Sequence, residues 1–399
     1  MGFWLQRALI GSLIIAAAGS AHGRDIDFGG QVRPRFEFRD PSPAGIRDNY
    51  TSMRVRTHIS ASLDRGTGVF IQLQDVRLWG EETSTLGDYR ADNLDLHQGY
   101  FEIRSPGDSP FSIRAGRQAI ALGGQRLVGA VDWAQQGRAF DGVRLSATLG
   151  SAKADLLGIK LAEATASGVA HNAYLSGIYV RVAPYEQAAL DLYALYDRGR
   201  ATGGRTDQVT MGLRWAGGGS PLSYRVEGSY QTGDRAGDDV EAYMLGAKLR
   251  ASTAKNTSAI VFWYDYLSGD DDAADGKVKV FDTLYATNHK FYGYADLFLN
   301  IPAHTGGGEL QDLAVKLSHT PTDGLTLAAD GHAFFLARKG SQGSRRLAEE
   351  IDLTLTYAYS ANVKVTAGVS YVSAHDALLA LGRLTKDLRF GYLMADVRF

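Results

Sequence analysis

The stretch QVRPRFEFRD, residues 31–40, places Arg33, Arg35, Glu37 and Arg39 on one side of an extended chain and Val32, Pro34, Phe36 and Phe38 on the other. In a soluble antiparallel sheet the apolar row would face a core and the charged row bulk water. In a transmembrane barrel the apolar row would face lipid and the arginines a lumen. The rest of the chain decides between the two.

The same alternation recurs along the whole sequence. In MRVRTHISASL (53–63), Arg54, Arg56, His58, Ser60 and Ser62 oppose Met53, Val55, Ile59 and Leu63. QVTMGLRW (208–215), LSYRVEGSY (222–230), EIDLTLTY (350–357) and VKVTAGVSY (363–371) repeat it with a period of two, which is a strand signal and not a helical one. About eighteen such strands are predicted, near 28–39, 51–64, 68–79, 94–104, 110–118, 139–149, 151–160, 172–183, 187–197, 206–216, 221–231, 240–251, 256–266, 309–319, 323–336, 347–360, 362–374 and 387–399. Most are long enough to cross a bilayer at a tilt, which takes about 9–11 residues.

The connections sharpen the reading. Every second one is short and turn-like, as in RGTG, SPGDSP, APYEQ, AGGGSP, STAKNT, TPTDG and SAN. Most of the others are long, including 40–50, 80–93, 119–138, 267–308 and 375–386. Periplasmic turns and extracellular loops of outer-membrane barrels produce this alternation, whereas a sandwich or a propeller gives no reason for it. The last strand, FGYLMADVRF, is amphipathic and ends on the aromatic Phe399. The fold class predicted is an all-β transmembrane antiparallel barrel of about eighteen strands, with short periplasmic turns and long extracellular loops.

Composition and the N-terminus agree. Net charge is −2 over 399 residues, so the basic excess of a nucleic-acid binder is missing. The chain has 47 Gly and 20 Tyr, suited to turns and aromatic girdles, and a mean hydropathy of −0.17 without a membrane-spanning helix signal. It has no Cys, which excludes disulfides, zinc–thiolate sites, cysteine nucleophiles and a lipoprotein anchor. Arg7, the apolar run ALIGSLIIAAA (8–18) and the small residues of GSAHG (19–23) read as a secretory signal peptide over 1–23, leaving a barrel domain over 24–399. The expected setting is the outer membrane of a Gram-negative bacterium, with outer-membrane lipid around the barrel.

Energetics orient the opening stretch. One Arg on the lipid face near the bilayer midplane costs about 2–4 kcal/mol, so Arg33, Arg35, Arg54 and Arg56 outward would cost on the order of 10 kcal/mol. They are expected inside. The same parity puts Arg114, Arg144, Arg214, Arg225, Lys316 and Lys364 in the lumen, with Glu37, Glu102, Glu227, Glu350 and Asp352. Some of these must cross-brace the wall as ion pairs. Others would serve anion conduction, because guanidinium forks bind carboxylates bidentately and stay charged.

LHQGYFEI (96–103), IRAGRQAIALGGQRLVGAVDWAQQGRAFDGVRL (113–145), SYQTGD (229–234), YDYLSGD (264–270) and NHKFYGYADLF (288–298) carry a family resemblance. Through them nearly the whole mature chain resembles the alginate export family of outer-membrane porins. The resemblance implies an eighteen-stranded monomeric barrel whose arginine-rich constriction passes an anionic polyuronate, with periplasmic secretion partners. Arg117, Arg138, Asp141, His289 and Lys290 occupy its motif positions and are expected to shape or line the pore. For Arg117 a bulge would be needed, since Arg114, Gly116 and Gln118 share one face. Tyr292 and Asp296 would fold the 267–308 loop over the mouth.

The function expected is therefore passive passage of an anionic polysaccharide or a related anionic solute. The alternative is a porin for small sugars or organic acids without polymer export. No P-loop or nucleophile motif accompanies the nine His, among them His58, His97, His332 and His375, so neither an enzyme nor a cofactor is expected. SGDDDAADG (268–276) offers Asp270, Asp271, Asp272 and Asp275 to a Ca²⁺ ion, but the position eleven after Asp270 is Phe281 and not the Glu an EF-hand needs, and a solvated acidic loop is the plainer reading.

Overall fold

The computed structural model describes residues 25–42, 45–81, 94–164, 172–199, 206–272, 274–339 and 343–399. The leader predicted over 1–23 lies outside them. The chain forms β1 (Ile26–Asp40), β2 (Asp48–Ser62), β3 (Thr67–Leu78), β4 (Leu94–Arg104), β5 (Phe111–Gln118) and β6 (Phe140–Leu149). It continues through β7 (Ala152–Ala162), β8 (Ala173–Tyr185), β9 (Ala188–Arg198), β10 (Thr206–Gly218), β11 (Leu222–Arg235), β12 (Asp238–Ser252) and β13 (Ser258–Leu267). After the two-residue β14 (Lys277–Val278) come β15 (Leu310–Thr322), β16 (Leu325–Leu336), β17 (Arg346–Ala358), β18 (Val363–Ala374) and β19 (Leu388–Arg398).

All strands except β14 form one closed antiparallel barrel of eighteen, in which each pairs with its sequence neighbours and β1 also pairs with β19. The closing register sets Val32 against Val397 and Phe36 against Leu393, with the Phe399 carbonyl accepting from the Gly30 N–H at 2.8 Å. Closure leaves no open sheet edge in lipid, the condition for a sheet to span a membrane. β14 runs parallel to the start of β12 and belongs to a loop, not to the wall.

Every predicted strand lies on an observed one, with ends displaced by a few residues. The largest extension is at the end of β11, which is joined to β12 at the long-loop end by only Ala236 and Gly237. Both turn residues are left-handed, with φ of 60° and 102°, and the Gly237 N–H caps Asp234 Oδ1 at 3.2 Å. This hairpin departs from the short–long alternation because β11 stays paired with β10 through Arg235 while β12 runs past the end of β13.

The alternation sorts side chains as the lipid argument requires. On β15, Leu313, Val315 and Leu317 are exposed, while Asp312 and Ala314 between them are buried. Ile351, Leu353 and Leu355 do the same on β17. A concavity of about 1260 Å³ between Phe36, Leu317, Leu353 and Leu393 lies on this outer apolar wall.

Inside, the lumen is partly filled by its own connections. Residues 119–139, between β5 and β6, and most of the described residues of 268–309, between β13 and β15, fold inward. Ile120, Leu122, Leu127 and Val128 from the first, and Phe291, Tyr292, Leu297 and Phe298 from the second, are buried against Met244, Leu267, Phe334 and Leu336 of the wall. The two loops zip together through a parallel bridge of Val128 to Tyr285 and a Thr287 N–H to Gln125 O bond of 3.0 Å. The 267–308 loop, expected over the mouth, is therefore inside it.

Candidate functional site in the lumen

The opening arginines point inward, and the structure shows what they meet. A loop inside a barrel presents carbonyl oxygens that ladder bonds do not satisfy, and buried carbonyls need donors. Arg33 donates from Nη1 to the Asp132 carbonyl at 2.7 Å and from Nε to Gln135 Oε1 at 3.0 Å. Arg35 donates to the Trp133 carbonyl at 2.7 Å, stacks over its indole at 4.3 Å and pairs with Glu37 at 3.1 Å. Arg54, fully buried, reaches Asp132 Oδ1 at 3.0 Å and Gln31 Oε1 at 2.7 Å. Arg56 holds Gln74 Oε1 at 2.7 Å and Asp132 Oδ1 at 3.3 Å. All four clamp residues 132–136 onto β1 and β2.

Other inward charges brace the wall. Arg114 pairs with Glu102 at 2.8 Å, Arg144 with Asp155 at 2.7 Å and Arg214 with Asp191 at 2.8 Å. Arg138 donates to the carbonyls of Tyr285 and, at 3.2 Å, Ala286, tying one inner loop to the other. Arg126, which the sequence reading passed over, bonds Asp265 Oδ2 at 2.7 Å and the Tyr292 hydroxyl at 3.0 Å, beneath the Phe291 ring at 4.2 Å. Burial opposes its charge, but Asp265, Tyr292 and Glu227 outweigh burial and hold the guanidinium above its ordinary range.

Arg117 and Asp141 sit on the outer face, paired with each other at 2.9 Å. The pairings of β5 with β4 and β6 run without a register shift, so no bulge turns Arg117 inward; parity gives the lumen to Gly116 and Gln118. His289 stacks on Trp133 at 4.1 Å between ring centres and bonds Asp296 at 2.6 Å, while Asp296 accepts the indole N–H at 3.1 Å. In the acidic run, Asp275 pairs with Lys279 at 2.5 Å and Asp270 accepts the backbone N–H of Asp272 at 3.0 Å.

Among the described residues, two of the cavities lie within the lumen, one toward each end. The inner, at the short-turn end, has about 750 Å³ and is lined by six cations, Arg181, Arg214, Arg225, Lys248, Lys290 and Lys316, against two carboxylates, Glu186 and Asp330. Lys316 is matched by Asp330 at 2.8 Å, and Arg214 by Asp191. Arg225, Lys248 and Lys290 make no ion pair among the described residues. Arg225 is 7% exposed, stacked on Trp263 at 4.3 Å, and its Nε and Nη2 have no acceptor. Lys290 reaches only the Gly124 carbonyl at 3.4 Å, and burial, then Arg225 and Arg214, lower its pKa. The outer cavity, about 600 Å³, balances Arg35, Arg39, Arg77 and Arg383 against Glu37, Asp48, Glu81 and Asp296.

Lys248 was missed from the sequence although its signal was there: Leu245, Ala247 and Leu249 alternate outward around it on β12. That Arg225, Lys248 and Lys290 meet in one cavity required the inward fold of residues 268–309.

A closed, lipid-faced barrel with a charged lumen defines an outer-membrane channel of the porin class. The chain matches the alginate export family over residues 24–391 and belongs to it. Its fold is that of OccAB4 from Acinetobacter baumannii (TM-score 0.67, 11% identity, 94% of this chain and 98% of that one). It is likewise that of OccK11 (OpdR) from Pseudomonas aeruginosa (TM-score 0.65, 12% identity, 94% and 96%) and of OprD from the same organism (TM-score 0.65, 12% identity, 94% and 94%). No curated protein matches the chain.

Proposed function

We propose that this channel passes anions by diffusion, with the inner cavity as its selectivity region. The observation that carries the reading is the trio Arg225, Lys248 and Lys290, three cations that line one lumenal cavity and make no ion pair among the described residues. Uncompensated positive charge concentrates anions and repels cations. Arg225 adds a flat fork, held against Trp263, that suits a carboxylate. The arginines at 33, 35, 54 and 56 shape the lumen by seating the 119–139 loop. The nearby Glu186 and Asp330 would keep binding weak enough for release.

The solute is an anionic polyuronate, as the family name suggests, or a smaller organic acid. The size of the inner cavity favours the smaller solute, since about 300–1,000 Å³ is the range of small-molecule sites.

Reversal potential in a KCl gradient across planar bilayers tests the reading. Wild-type protein is expected to follow chloride, and Arg225→Gln with Lys248→Gln to move the potential toward zero. Cation selectivity in the wild type would overturn the proposal. Block by uronate oligomers but not by monomers would assign the polymer; block by both alike, the small acid.

A further inference from the structure

The inner and outer cavities share no lining residue, and a stretch of each inner loop runs between them: Gly123 and Gly124 line the inner cavity and Val131 and Trp133 the outer one, and the 268–309 loop crosses in the same way. His289, Asp296 and Leu297 line the outer cavity, whereas Lys290, Phe291 and Tyr294 line the inner one. This partition is gripped at one point by two buried wall carboxylates. The Ala295 N–H donates to Glu350 Oε1 at 2.7 Å and the Tyr294 N–H to Asp352 Oδ2 at 3.4 Å. Asp352 also accepts from the Ser370 hydroxyl at 2.5 Å. Neither carboxylate makes an ion pair among the described residues; the nearby Lys316 is committed to Asp330. From the opposite side, Arg39 donates to the Ala295 carbonyl at 2.6 Å.

The backbone of the partition is bent where side chains resist it. Leu284 and Asp296, one near each end, have φ of 53° and 58°, and Gly293 has φ of 80° with the Glu350 carboxylate where a Cβ would stand. Val131, where the neighbouring loop meets the partition, has φ of 50°. A left-handed Leu or β-branched Val is an outlier held only by its surroundings, and such strain collects at switch segments.

We propose that Leu284–Asp296 is a hinged partition across the pore and that Glu350 with Asp352 is the latch that holds it shut. The latch works through backbone N–H groups, so it is independent of the side chains presented to solute. Releasing it lets the strained ends relax and joins the two cavities into one path. The proposal rests on the channel reading above, and adds to it a control over access to the Lys290 face.

Single-channel recording tests it. Wild-type protein should switch between a low and a high conductance level. Glu350→Ala, which removes the acceptor, and Gly293→Ala, which displaces it, should each raise the time spent in the high level roughly tenfold, the scale of a lost buried hydrogen bond. Glu350→Gln keeps an acceptor oxygen and should retain wild-type dwell times. The reversal potential should stay the same in all of them. Gly293 lies outside the wall, so its variant carries the test even where a Glu350 variant fails to fold, with heat-modifiable migration on gels reporting the folded barrel. A single unchanging level shared by the wild type and folded Gly293→Ala would overturn the latch. Cation selectivity would instead overturn the anion reading, whatever the dwell times.

Discussion

Arg54 and Arg225 carry the same guanidinium into the same lumen, and their neighbours assign them opposite tasks. Arg54 is surrounded by acceptors from a loop that folds onto it, so its charge is spent on structure. Arg225 has an indole face and two other cations around it, so its charge stays open to solute. Glu309, beside the start of β15, shows burial as the dominant influence. Burial pushes its carboxyl up to about 8, although a hydrogen bond from the Thr305 hydroxyl pulls the other way. Because the folded pKa lies above the ordinary 4.5, the stability that this group lends is fully present below that value and lost as pH rises through about 8. Thermal unfolding followed from pH 5 to pH 9 should show a declining midpoint in the wild type. Glu309→Gln should remove that part of the decline; an identical slope in both proteins would show that Glu309 does not titrate in this window.

Among the elements, the two inner loops behave as one body anchored at both ends by charge. The 119–139 loop offers carbonyls to arginines of β1 and β2, and the 268–309 loop offers N–H groups to carboxylates of β17. Arg126 rivets them to the third side of the wall through Asp265 on β13 and Glu227 on β11. Removing one partner from a buried ion network strands the rest, at about 3–5 kcal/mol. Arg126→Ala should therefore lose protection from amide exchange across both 120–131 and 285–296, while the wall strands keep theirs. Loss confined to the first loop would show that the two do not move together. Arg126→Lys should rescue only partly, since one ammonium cannot replace the fork between two carboxylates.

Across the whole molecule, charge is distributed unevenly along the pore axis. The inner cavity carries the excess of cations and the outer one is balanced. Fields of this kind are screened over about 10 Å at 0.1 M salt and about 3 Å at 1 M. Anion preference should thus fall markedly between 0.1 M and 1 M KCl in reversal-potential measurements. A preference unchanged over that range would mean that selectivity rests on a narrow steric filter and not on the field of the trio.

Period-two alternation, turn chemistry and the short–long rhythm of connections determined the barrel from sequence alone, down to the strand count and the side that faces lipid. They could do so because the cost of charge in hydrocarbon acts on each residue locally, whatever lies across the lumen. The same parity put Arg33, Arg35, Arg54 and Arg56 inside and could have named Lys248. Tertiary structure alone decided which lumenal charges remain open, because a cation's availability depends on partners distant in the chain: Asp132 for Arg54, Asp265 for Arg126, and for Arg225 no carboxylate within ion-pair distance among the described residues. It also decided that Arg117 and Asp141 face outward, since that turned on the absence of a bulge in β5, which no local pattern encodes. Loops that fold into a barrel convert its inward charges into either clamps or a binding surface, and only their path tells one from the other.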